Sequence, residues 1–174
     1  MSILLSPTPV ASKIVDFLIE IGLAVKISSI NRNTFLPGID FEKGAIVIDE
    51  AKLKYPGDLL HEAGHLAVLP PAQRKTVNGD ITPEQTYDGG GELMALAWSY
   101  AAAVYLNLDP SIIFHPDGYK GESEVLIDHF TSSPFMGVPG LQWLGLTAQE
   151  KLAAELNIPP FPNMLKWLCD EVPS

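Results

Sequence analysis

The sequence predicts an α+β domain: a small antiparallel or mixed sheet of about three strands packed on one helix, followed by a mostly helical C-terminal half. Three observations predict it. An amphipathic stretch gives way after Gly22 to short apolar runs, the last of these hands over to a second helix near Asp58, and beyond Glu92 the apolar spacing is helical, interrupted by prolines. At 174 residues the chain has the size of one domain. Residues 1–174 read as that unit, with a core over about 10–106 and a helical, proline-rich extension over about 107–174.

In the first element, Val10, Ile14, Val15, Phe17, Leu18 and Ile21 recur at helical spacing, and Gly22 supplies the stop. From Leu23 to Ile30 apolar and polar residues alternate, and short apolar runs follow at Phe35-Leu36 and at 45–48. Turn formers from Pro37 to Gly44 separate these two runs, which predicts antiparallel pairing across a loop. After Pro56-Gly57, Asp58 can cap a helix that Pro70-Pro71 end. Residues 72–91 are polar and glycine-rich without periodicity, at a length that marks a functional or mobile loop. The run from Glu92 to Leu106 is apolar on nearly every face and predicts a helix buried on all sides. Shorter helices are predicted over 123–130, 147–156 and 163–172. The second opens with a capping box in which Thr147 and Glu150 serve each other's backbone donors.

The net charge of −10 repels phosphate backbones and anionic lipid, so neither nucleic acid nor a membrane is an expected partner. Cys169 is the single cysteine; it rules out an intramolecular disulfide and a thiolate zinc knuckle, and points to a reducing, cytoplasmic setting. The N-terminal residues lack a basic region and carry Pro7 and Pro9, and no run reaches the length of a membrane span, so no export signal and no transmembrane helix are expected.

The chemistry is concentrated in His61-Glu62-Ala63-Gly64-His65, an H-E-x-x-H pattern on a predicted helix. Residues i and i+4 lie one turn apart on one face, so two imidazoles can grip one ion, while Glu62, about 100° around the helix, can reach an attacking water without occupying a ligand position. Zn2+ in a catalytic site takes three protein ligands and leaves a fourth position open. Glu92, 27 residues after His65, is the expected third ligand, because a carboxylate heading so apolar a helix requires compensation. His115, Asp117, Asp128 and His129 are rival ligands with plainer roles in turns or on a solvated face. Cys169, in Trp167-Leu168-Cys169, reads as a small buried hydrophobe.

These residues resemble those of the zincin metallopeptidases, in the gluzincin branch, and more closely the ImmA/IrrE type of minimal gluzincin. Three stretches carry the likeness: Phe35-Leu36-Pro37-Gly38 followed by Gly44-Ala45-Ile46-Val47-Ile48, then Leu59-Leu60 ahead of the H-E-x-x-H, and Glu92-Leu93-Met94-Ala95 with Trp98 three residues later. It covers roughly residues 10–106; Leu96 stands where the family often has asparagine, and 107–174 have no counterpart. Val68 and Pro71 replace the glycine and histidine of the metzincin extension, and the absence of an upstream cysteine excludes a peptide deformylase. The resemblance implies a zincin-like fold, zinc held by His61, His65 and Glu92, Glu62 as general base, and a protein or peptide substrate. A hydrogen-bond donor to the developing oxyanion is also expected, with Tyr87, Tyr100, Tyr119, His115 and His129 as candidates. The alternatives are a catalytically silent zincin-fold binding or regulatory module, suggested by apolar C-terminal segments able to cover the cleft, and a zinc hydrolase acting on a small molecule.

Overall fold

The computed structural model describes residues 8–81, 87 and 90–174. Helix α1 (Pro9–Glu20) starts where the Thr8 hydroxyl accepts from the Ala11 amide, and it buries Ala11, Ile14, Phe17 and Leu18 on the predicted face. Gly22, at φ 99°, turns the chain out of the helix toward β1 (Val25–Ile27). Strands β2 (Ile39–Glu42) and β3 (Ala45–Ile48) complete a mixed sheet of order β1-β3-β2, with β3 parallel to β1 and antiparallel to β2.

The hairpin is shifted from its expected position. Phe35-Leu36 forms no strand and Phe35 is 83% exposed, whereas Ile39–Glu42, expected inside the turn, pairs with β3. The physical reason is alternation: Ile39 and Phe41 are buried while Asp40 and Glu42 are not, and Lys43 with Gly44 suffices to turn the chain. Both have positive φ, which matches the twist of a two-residue hairpin.

Helix α2 (Asp58–Ala67) is buried at every position except Glu62. Its N-cap is Gly57, not Asp58. The backbone of Gly57 lies so close to Ile112 that no Cβ would fit, and the Asp58 carboxylate is engaged by His115. After α2 the chain forms α3 (Pro71–Arg74), and residues 75–81 are tethered to the hairpin: Gly44 donates to the Val77 carbonyl, Gly79 to that of Phe41 and Lys43 to the Asn78 side chain, with Val77 buried. The first half of the expected mobile loop is therefore a fixed flank. Residues 82–86, 88 and 89 of that expectation lie outside the described residues.

Helix α4 (Gly90–Tyr105) begins two residues before its expected start and runs through the core, packed on α2 and bearing Glu92 in its first turn. The two helices touch backbone to backbone: a Cβ on Gly64 would stand 2.9 Å from the Ala95 carbonyl oxygen and 3.0 Å from its Cα. Gly64→Ala would stabilise an exposed helix by up to about 1 kcal/mol, but here overpacking costs about 2 kcal/mol. Thermal unfolding should show Tm lower by about 4–8 °C; an unchanged or raised Tm would refute the close crossing.

Helices α5 (Ser123–Ser132), α6 (Val138–Trp143) and α7 (Glu150–Leu156) make the C-terminal half mostly helical; α6 was not expected as a helix. The capping box before α7 does not form. The Thr147 hydroxyl donates to the Asn163 carbonyl instead, and Gln149 stands at the N-cap. Nor do residues 163–172 form the expected helix, because partners elsewhere take their backbone groups. Leu165 donates to Leu146 and Cys169 to Ala67, while the carbonyls of Trp167 and Cys169 accept from Trp98 and Arg74. Trp167 packs among Phe17, Trp98 and Tyr105. Among the described residues no helix is long and apolar enough to cross a membrane.

Candidate metal and catalytic centre

Helical periodicity puts His61 and His65 one above the other on α2, and the α2–α4 crossing brings the Glu92 carboxylate over both. Nε2 of His61 lies 3.2 Å from Nε2 of His65, 3.3 Å from one Glu92 oxygen and, through His65, 3.0 Å separates the second nitrogen from the other oxygen. Both imidazoles are about nine-tenths buried, while the Glu92 side chain is 52% exposed, so the cluster opens to solvent on the glutamate side.

Two imidazole nitrogens and a carboxylate match the donor set of catalytic zinc sites. Atoms bound at about 2.0–2.1 Å to one tetrahedral ion stand about 3.3 Å from each other. The His61–His65 separation of 3.2 Å has the size of such an edge, and each imidazole nitrogen faces its own Glu92 oxygen at 3.0 to 3.3 Å, so that one ligand atom from each residue lies within 4.8 Å of the others. The residues present therefore fit a zinc ion. His61 Nδ1 and His65 Nδ1 are sealed from solvent and have no partner among the described residues.

Burial pushes the Glu92 carboxyl up, but hydrogen bonds and charge from His61 and His65 outweigh it and hold the group well below the usual carboxylate range. Glu62 behaves in the opposite way. Burial, with the charges of Glu92, Asp58 and Asp80 added and that of His65 opposing, pushes it up to about 7. That range suits a group that must both accept and return a proton near neutrality. A carboxyl raised by folding contributes stability fully present below its unfolded value, about 4.5, and lost as pH rises through about 7. Metal-free Glu62→Gln, which stays neutral, should thus gain on metal-free wild type as pH rises from 4 to 8, by on the order of 3 kcal/mol. Parallel Tm curves across that range would contradict the burial of the charge.

None of the rival ligands joins the triad. His115 Nε2 is 2.8 Å from Asp58, the Tyr55 hydroxyl binds Asp117, His129 Nε2 accepts from the amides of Phe135 and Met136, and Asp128 is exposed. Cys169 is a buried hydrophobe, as expected, at the C-terminal end of α2. The Asp58–His115 pair, with Tyr55 stacked at 3.8 Å on the imidazole, escaped the sequence reading. Burial raises the Asp58 carboxyl and His115 partly offsets this. The available signal was an aspartate one turn before Glu62 on the same helix face.

No family model, curated protein or solved structure matches the chain.

Proposed function

We propose that the chain is a zinc-dependent peptidase of the zincin type, resembling the ImmA/IrrE minimal gluzincins, that cuts a protein or peptide substrate. One observation carries the reading: two histidines from α2 and a glutamate from α4, far apart in sequence, converge so that one ligand atom from each lies within 4.8 Å of the others, while Glu62 stands beside them. His61, His65 and Glu92 would hold the ion. Zinc supplies Lewis acidity, polarising a carbonyl and acidifying water. Glu62, held near neutrality, accepts the proton of the attacking water and passes it to the leaving nitrogen. A silent binding module has no use for a half-buried ionisable group at that position, which favours the enzyme over that alternative. The lone, buried Cys169 suits a reducing, cytoplasmic setting. The test is chelator-sensitive cleavage of a quenched-fluorescence peptide library by zinc-loaded protein; absence of cleavage, with one zinc bound, would refute the peptidase reading.

A further inference from the structure

The peptidase reading needs a hydrogen-bond donor where the carbonyl oxygen gains charge, and the structure separates the five candidates. The Tyr87 hydroxyl donates to the Val68 carbonyl at 2.7 Å. Tyr100 is buried in α4 and stacks on Phe130. His129 is committed to two backbone amides, and His115 to Asp58.

Tyr119 differs from all four. Its ring stands edge-on to that of His61, with centroids 6.0 Å apart, and it makes no side-chain hydrogen bond to a described residue. The Tyr119 hydroxyl is not among the sealed, unpartnered side-chain atoms, all of which are histidine Nδ1 among the described residues, and the Tyr119 side chain is half-buried. A phenol keeps its proton at neutral pH and can donate it. Tyr119 and Lys120 are consecutive non-glycine residues with positive φ, 55° and 52°, a backbone conformation that surrounding structure has to impose. That support is visible: Asp58 binds His115, Tyr55 stacks on His115 and bonds Asp117, and His115 packs against Gly118, where a Cβ would stand 3.1 Å from the ring.

Resting on the peptidase reading, we infer that Tyr119 is a catalytic residue that donates a hydrogen bond to the reacting carbonyl oxygen, and that the Asp58–His115 pair is the positioning device that holds it against His61. In the step, the water oxygen bonds to the carbonyl carbon and the C–O π pair moves onto the carbonyl oxygen, which accepts from Tyr119. Glu62 carries one water proton to the nitrogen, the C–N bond breaks as the carbonyl re-forms, and the other proton stays with the new carboxyl group. Tyr119 transfers nothing; its O–H bond is intact throughout.

The test uses zinc-loaded full chain and the best-cleaved peptide of the library. Tyr119→Phe removes a hydroxyl without a described protein partner, so zinc content and Tm should stay unchanged while kcat falls about 100-fold with KM within about twofold. Affinity for a phosphinic analogue of that peptide, measured by calorimetry, should fall by a similar factor, which gives a readout independent of turnover. His115→Ala should lower kcat about tenfold in the wild type and not at all in Tyr119→Phe, and His115→Gln, which keeps a donor for Asp58, should recover part of the loss. Cleavage and analogue affinity unchanged in Tyr119→Phe overturn the Tyr119 role alone. Equal losses from His115→Ala in both backgrounds overturn the positioning role. If zinc-loaded wild type cleaves no peptide, the peptidase reading fails and takes the inference with it.

Discussion

Glu62→Gln should lower peptide cleavage by at least 100-fold, and by as much as about 10,000-fold, while zinc content stays at one per chain. The amide has nearly the volume of the carboxyl group but cannot take a proton, so the substitution separates proton handling from metal binding. Glu62 makes no hydrogen bond to His61, His65 or Glu92, and its position about 100° around α2 from His61 keeps it out of their cluster. Elemental analysis and a cleavage assay on the same preparations check both halves. Activity within a few-fold of wild type would remove Glu62 as the base; loss of zinc together with activity would show that the side chain holds the metal instead.

Zinc itself should raise stability. At free zinc 1,000 times the dissociation constant, binding to the native state alone adds about 4 kcal/mol, a Tm increase of about 8–16 °C in a chain of this size. Glu92→Ala should erase most of that shift. Mutation of groups that merely orient zinc ligands already weakens binding about 10–100-fold, so loss of a ligand should exceed about 100-fold. Differential scanning calorimetry with and without chelator, on both proteins, reads the effect. An equal zinc-dependent shift in wild type and variant would show that the 3.0 and 3.3 Å approaches of Glu92 to the histidines do not report ligation.

Features set by one helix face were legible in the sequence. The apolar spacing of α1, α2 and α5 survives in the fold because each buries the face that carries it, and α4, expected to be buried on all sides, is buried along its middle while Leu93, Val104 and Tyr105 near its ends are exposed; the His61–His65 juxtaposition follows from helix geometry alone. Glu92 was legible for another reason: a carboxylate at the head of an otherwise apolar helix needs a partner, and the fold provides two. Features set between distant segments were not. Phe35-Leu36 looked like a strand because apolarity was read without the turn, whereas two residues close the hairpin and move pairing to Ile39–Glu42. Residues 163–172 have helical spacing, yet tertiary partners claim their amides and carbonyls first. Asp58 and His115 meet across 57 residues, a pairing that no local pattern encodes.

That C-terminal segment is more than a failed helix. Arg74 binds the carbonyls of Leu66, Leu69 and Cys169 together, and the Cys169 amide returns to Ala67, so the chain's last stretch is buckled onto the end of the helix that carries both histidines. Cys169, the chain's one thiol, sits under the buckle with its pKa raised by burial. Its reaction with a thiol reagent is therefore governed by how often the buckle opens, and the molecule carries an internal gauge of local unfolding at the C-terminal end of α2, less than one turn beyond His65.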